Sequence, residues 1–298
     1  MGTPLFGVRV LERLVEKYDV CLVVSQPDRV KKKGQFVPTP VKELALKLGI
    51  PVFQPEKIGL DYEAIKEANA DVLVTAAYGQ YIPSKILKLF KKTINVHGSL
   101  LPLHRGGAPI QRSIINGDLE TGVTIMEMAK RLDAGKMYAK RSYKILDDDT
   151  NTSVFEKLSN IGADLLMENI EDIYNEVNLG VVQDENMATY SHNLDPSEEL
   201  IDFNKSAFLV MRQINGLSNE PGAYFIFNDV KVKVFKASVI QYEGNELPGT
   251  VISLKKKVWI KTLDNAVSLD ILLLPGKKAS KAIDFVNGQK LLKENDVI

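Results

Sequence analysis

The chain has 298 residues, 45% of them hydrophobic, and its 38 basic residues balance 38 acidic ones to a net charge of zero. That is enough apolar material for roughly two globular domains, and without a global positive field any grip on nucleic acid must come from local patches. A single cysteine, Cys21, excludes an internal disulfide; no apolar run approaches the ~18 residues of a membrane span, and no signal peptide opens the chain, so a cytoplasmic location is expected.

In chain order, helical patterns at 6–17, 40–48 and 61–69 alternate with apolar runs at 20–24 and 72–77. This is the rhythm of βα units around a mostly parallel sheet, with Cys21 expected in the core. Thr93-Ile94-Asn95-Val96-His97 alternates apolar and polar residues and runs into Gly98-Ser99, which predicts a short strand ending in a loop. Asn95 and His97 then share one face. In an open α/β sheet, ligands bind beyond the carboxyl ends of the strands, so this pair stands where chemistry is expected. Gly106-Gly107 permits close backbone approach, and Pro109 suits the first turn of a helix reaching Ile115. Runs at 123–128 and 136–140, separated by a turn containing Asp133 and Gly135, predict a hairpin beside the parallel core. Val154, Leu158, Ile161 and Leu165 recur at helical spacing within 150–174, a long helix with Thr152 as its expected cap.

Residues 178–197 are polar and aperiodic, as a linker would be between a domain of residues 1–177 and one of residues 198–298. A helix is expected at 205–214, followed by strands at 223–227, 230–235, 250–254, 258–262 and 267–273, which suggest a small OB-like β-barrel. Neither G-x-G-x-x-G nor a P-loop is present, so nicotinamide and nucleotide phosphates are not suggested as ligands. His104 and His192 lack Cys or carboxylate neighbours at ligand spacing, and no metal is expected.

Seen alone, each polar residue has a plain structural reading. A His at a strand end is often just hydrogen-bonded, an Asp before Ala-Gly is a turn residue, and the basic cluster Arg29, Lys31, Lys32 and Lys33 is a solvated face, as is Lys255-Lys256-Lys257. The motifs in order change that weighting. They are Met1-Gly2-Thr3-Pro4, Gln26-Pro27-Asp28-Arg29, Pro38-Thr39-Pro40-Val41-Lys42, Ala76-Ala77-Tyr78-Gly79-Gln80, Asn95-Val96-His97-Gly98-Ser99-Leu100-Leu101-Pro102, Ile201-Asp202-Phe203-Asn204-Lys205-Ser206 and Pro221-Gly222-Ala223-Tyr224. Over nearly its whole length the chain resembles the methionyl-tRNA formyltransferases. The Asn-x-His and Ser-Leu-Leu-Pro core alone is shared by other enzymes that handle 10-formyltetrahydrofolate.

The resemblance implies an α/β, Rossmann-like formyltransferase domain followed by an OB-like domain. It also implies transfer of formyl from 10-formyltetrahydrofolate to methionyl-initiator tRNA. Asn95, His97 and Asp133 fall on the catalytic positions. Ser99, Leu100, Leu101, Pro102, Ala77, Tyr78, Gly79 and Gln80 fall on the folate pocket, and Arg29, Lys31, Lys32 and Lys33 on a loop that grips the acceptor stem. The chemistry agrees with these assignments. Formyl transfer to an amine passes through a tetrahedral carbon bearing an oxyanion, for which Asn95 and His97 are suitable donors. Asp133 can accept the proton the attacking amine sheds, and can also favour an imidazolium at His97.

Departures from the family pattern are specific. Family members begin with an apolar strand ahead of Met-Gly-Thr-Pro, so the first strand of the sheet is expected to be missing here, through a start assigned too far downstream. Leu5 and Lys136 stand where the family has Asp, and Asn193 where a Lys is expected. The alternatives are formylation of an amino sugar nucleotide, which should not need the basic loop, and a truncated, inactive relative that only binds tRNA. Without a sustained heptad, a monomer is expected, with no membrane partner.

Overall fold

The computed structural model describes residues 1–30 and 36–298. These form two compact units, one of Met1–Pro109, Thr121–Tyr143 and Phe155–His192, the other of Ile110–Glu120, Lys144–Val154 and Asn193–Ile298. In chain order the elements up to the long helix are α1 (Leu5–Val15), β1 (Val23–Val24), β2 (Arg29–Val30), β3 (Phe36–Val37), α2 (Pro40–Lys47), β4 (Val52–Phe53), α3 (Glu63–Glu67), β5 (Val72–Thr75), α4 (Ser84–Leu87), β6 (Lys92–His97), α5 (Pro109–Ile115), β7 (Glu120–Glu127), β8 (Met137–Lys144) and α6 (Asn151–Tyr174). This is the expected Rossmann-like βα alternation. β1 pairs parallel with β4 and β5 parallel with β6, while β6 and β7 run antiparallel in a sheet ordered β5-β6-β7-β8.

Local signals account for the element ends. Thr39 accepts a hydrogen bond from the Lys42 backbone at the start of α2, with Pro40 in the first turn, where its missing N–H costs nothing. At α6 the cap is Thr150 and not Thr152. Thr150 Oγ1 accepts from the Ser153 N–H at 3.3 Å while Ser153 Oγ accepts from the Thr150 N–H at 3.0 Å, a reciprocal pair that needs a polar residue three positions on. Cys21 also departs from expectation. It is exposed, because β1 begins only at Val23 and the residues before it run along a cavity.

That cavity, of about 600 Å³, lies between β1 and β5 of the first unit and is lined by Val10, Leu11, Leu22, Val72, Val74 and Ile170 among others. Met1 and Gly2 close one end of it. The Met1 amine donates to Val74 O at 2.6 Å, Met1 O accepts from Ala76 N at 2.9 Å, and Gly2 N donates to Val24 O at 3.0 Å. Gly2 thus bridges parallel to Ala76, and burial holds the Met1 amine down to about 5. Glycine is required here, since a Cβ on Gly2 would stand 2.9 Å from Ala76 O. Among the described residues no strand pairs with both β1 and β5.

Residues 178–192 lie along the first unit. Val181 exchanges both backbone bonds with Met137 at 2.8 Å, Asn178 Nδ2 donates to Tyr138 O at 3.1 Å, and Ser191 N donates to Arg105 O at 2.7 Å. Their order comes from backbone pairing, which leaves no hydrophobic period to read.

In the second unit, α7 (Ala207–Gly216) is followed by β9 (Ala223–Phe227), β10 (Val230–Ile240), β11 (Val251–Ser253), β12 (Val258–Lys261), β13 (Ala266–Leu273), β14 (Ser280–Lys281) and α8 (Ala282–Gly288). The expected small barrel is a curled, antiparallel, OB-like sheet ordered β11-β12-β13-β10-β9, with β14 added to β13. Its core contains the fully buried Val210, Ile214, Val232, Val234, Ile260 and Leu269. β10 changes register against β13 around Lys236, and the buried Asn215 side chain pairs with both the N–H and the carbonyl of Ala237 there. A bulge frees backbone groups that must find partners when buried.

The cavity has a measurable consequence. Val74 O bonds Met1, so the Val74 amide, and by period two that of Val72, face away from β6. Amide exchange followed residue by residue should be faster at Val72 and Val74 than at Leu73 and Thr75, which β6 holds. Equal protection would refute an open edge on β5.

Candidate active site

β6 carries the first two candidate residues. It pairs Asn95 with Thr75 of β5 on one side and with Met126 of β7 on the other, and His97 with Thr124 of β7. Two positions apart on a strand, Asn95 and His97 project to the same face, as expected. Thr75 Oγ1 donates to Asn95 Oδ1 at 2.8 Å, which orients the carboxamide. Asn95 Nδ2 is left without a partner among the described residues, a donor free for a ligand.

His97 is only 6% exposed. Its Nε2 lies 3.1 Å from the carbonyl oxygen of His104, and because a carbonyl only accepts, Nε2 carries a proton. The remaining nitrogen, Nδ1, is 3.7 Å from Asp133 Oδ2, an ion-pair distance rather than a hydrogen bond. This narrows the expected role of His97 as an oxyanion donor, since its Nε2–H is already committed to the backbone.

Asp133 is 13% exposed and has φ +46°, the left-handed conformation of the expected turn. Its Oδ2 accepts from the Gly106 N–H at 2.8 Å, while Oδ1 has no partner among the described residues. Gly106 has φ +121°, and a Cβ there would come within 2.6 Å of Ser191 O. The close backbone approach expected of Gly106 therefore presents an amide to Asp133.

The expected folate-facing residues divide into two groups. Ser99 is buried and donates its hydroxyl to Leu103 O at 2.7 Å, so that hydroxyl serves the loop. Thr124 Oγ1 donates to Ser99 O at 2.7 Å and accepts from Leu101 N at 3.1 Å, and Leu101 is fully buried before a cis peptide to Pro102. Tyr78 is also in the core, where burial pushes its phenol up to about 12, and its carbonyl accepts from Thr3 Oγ1 and Gln26 Nε2. Gln80 spends its amide on Pro55 O and Ile58 N. Surface remains at Ala77 and Gly79, which are exposed, and at the half-buried Leu100 and Pro102. Of the basic cluster, Arg29 is exposed on β2, and Lys31, Lys32 and Lys33 lie outside the described residues.

No motif or period marks Thr75, hidden in an apolar strand, or Arg105. The Arg105 guanidinium is fully buried and reaches Gln183 and Glu185, with Nη2 at 3.0 Å from Glu185 Oε1. Arg131 Nη2 donates to Glu185 Oε2 at 2.6 Å, and hydrogen bonds from Arg105 and then Arg131 hold the Glu185 carboxyl down to about 2. Among the described residues no group of three or more His, Cys, Asp or Glu could hold a metal ion, and no helix is long and apolar enough to cross a membrane.

A carboxyl held below its ordinary value of 4.5 stabilises the fold above 4.5 and loses that contribution as pH falls toward about 2. Glu185→Gln should lower the melting temperature modestly at neutral pH, since the carboxylate is half exposed. The gap to the parent should narrow progressively below pH 4.5. A gap independent of pH in paired melting curves would refute this clamp.

Comparison with known proteins places this geometry in a family. Residues 2–170 match the formyl transferase family and residues 193–290 its C-terminal domain. Methionyl-tRNA formyltransferase from Staphylococcus aureus is 42% identical over 294 residues, spanning 97% of this chain and 94% of that protein. The fold also resembles an N-formyltransferase from Helicobacter canadensis solved with folinic acid and dTDP-3-aminofucose, with a TM-score of 0.71 at 19% identity over 90% of this chain and 96% of that one. Methionyl-tRNA formyltransferase from Clostridium thermocellum gives a TM-score of 0.53 at 16% identity over 76% of this chain and 94% of that one. With both domains matched in order and such identity over nearly its whole length, the chain belongs to the methionyl-tRNA formyltransferase family.

Proposed function

We propose that this chain transfers the formyl group of 10-formyltetrahydrofolate to the α-amino group of methionine carried by initiator tRNA. The observation that carries this reading is Asn95 Nδ2, oriented and without a partner among the described residues, on the same strand face as His97, whose Nδ1 lies 3.7 Å from Asp133 Oδ2. The bound donor supplies an N-formyl group, and Ala77, Gly79, Leu100 and Pro102 offer backbone and apolar surface suited to its flat ring.

Each residue then has a step. Asn95 Nδ2 donates to the oxygen that becomes the oxyanion when the amine nitrogen bonds the formyl carbon, which is where a fixed donor lowers the barrier most. An α-amine has a pKa of ~7.7 to 8.0, so a useful fraction is already neutral at pH 7. Asp133, through its free Oδ1, takes the proton the attacking nitrogen sheds and returns it as the bond to the folate nitrogen breaks, so no proton is consumed overall. His97 keeps its ring fixed through the His104 carbonyl and faces the Asp133 carboxylate with Nδ1. Arg29 with Lys31, Lys32 and Lys33 supplies local positive charge for tRNA phosphates in a chain with no net charge.

The test pairs two acceptors. The purified chain should formylate methionyl-tRNA and leave a dTDP-amino sugar unmodified; the opposite outcome would make it a sugar transferase, and transfer to neither would leave a binding protein. Replacing Asn95 by Ala, which removes the oxyanion donor, should lower kcat by at least ~10²-fold, and His97→Ala, which removes the ring facing Asp133, should lower kcat as well. Thr75→Val, which removes the hydroxyl that orients Asn95 while keeping the shape, should lower kcat by roughly tenfold, on the scale of one lost hydrogen bond, with recovery in Thr75→Ser. Full activity in Thr75→Val would show that Asn95 needs no such orientation.

A further inference from the structure

Gln183 lies in the aperiodic stretch and is 4% exposed. Its Oε1 accepts from Arg105 Nε at 3.0 Å and Nη2 at 2.8 Å, and its Nε2 donates to Asp133 O and Gly135 O, both at 2.8 Å. A guanidinium only donates and a carbonyl only accepts, so this carboxamide has a single satisfied orientation. The placement follows from the backbone. Val181 bridges antiparallel to Met137, which sets Gln183 opposite Gly135, where a Cβ would come within 2.0 Å of Glu127 O.

These contacts form a closed ring. Arg105 holds Gln183, Gln183 holds the Asp133 backbone, and the Asp133 carboxylate returns to the N–H of Gly106, the neighbour of Arg105. Asp133 is in the left-handed conformation, which Asp tolerates better than most L-residues but which still carries a cost, and its carboxylate points at His97 with both ends of the turn pinned. We propose that Gln183 is a positioning residue for formyl transfer, setting the reach of the Asp133 carboxylate through the backbone of its turn. This rests on the reading of Asp133 as the proton acceptor. The stretch around Gln183 is thereby part of the active-site framework as well as the path toward the next domain.

Gln183→Glu separates the two ends of the side chain. It keeps the length and the acceptor for Arg105 but sets a carboxylate oxygen against the carbonyls of Asp133 and Gly135. The readouts are kcat and KM for methionyl-tRNA and for 10-formyltetrahydrofolate, in this variant, in Asp133→Asn and in the double variant, with melting curves to verify folding. A misplacement of the carboxylate by about 1 Å should cost at least ~10-fold in kcat with both KM values within about twofold. If Gln183 acts through Asp133, the double variant should be no slower than Asp133→Asn alone. Independent, multiplying losses, or a parent-like kcat in Gln183→Glu beside a crippled Asp133→Asn, would overturn the proposal alone. A fully active Asp133→Asn would instead overturn the assignment of Asp133 on which it rests. Should Gln183→Glu fail to fold, Gln183→Met carries the same comparison without the buried charge.

Discussion

The site depends on β6 being paired on both sides. Its parallel register with β5 sets Thr75 beside Asn95, and its antiparallel register with β7 sets Thr124 beside His97. One threonine orients the Asn95 carboxamide, and the other holds the loop from Ser99 to Leu101. A slip of one residue would turn Asn95 and His97 to the opposite face and break both locks together. The buried Ile94 and Val96, which alternate with them, secure that register.

Polar order at the site is maintained by pairing that leaves few choices. Arg105 is fully buried, and a buried guanidinium without acceptors would be costly, so Gln183 and Glu185 are needed for the fold as well as for the turn they brace. The same pairing keeps a proton on Nε2 of His97 and gives Asn95 one orientation. Fixed donors and acceptors cost no reorganisation when charge develops, which is why a rigid frame serves acyl transfer.

In the first unit Met1 and Gly2 bridge β1 and β5, with a cavity of about 600 Å³ alongside. The cavity is lined by residues other than Asn95, His97 and Asp133, and the bonds that build the site come from β5, β6, β7 and the loops after them.

Much of this was legible in the residues. The βα rhythm, the strand ending at His97, the turn at Asp133, the helix beginning at Pro109 and the strands of the OB-like sheet all follow from period, turn chemistry and proline placement. Cys21 and the cap of α6 depart from expectation for local reasons: the apolar run begins at Val20, ahead of the strand start at Val23, and Thr152 lies two positions beyond the true cap. The chain by itself determined which groups are present for formyl transfer and on which strand face Asn95 and His97 stand, because side-chain alternation is a local property. Only the tertiary structure decided that Nε2 of His97 is taken by a backbone carbonyl, that Thr75 orients Asn95, and that Gln183 and Gly106 hold Asp133 from two sides. Those partners lie 7 to 50 positions apart in sequence, and hydrogen bonding between distant segments leaves no periodic trace in either.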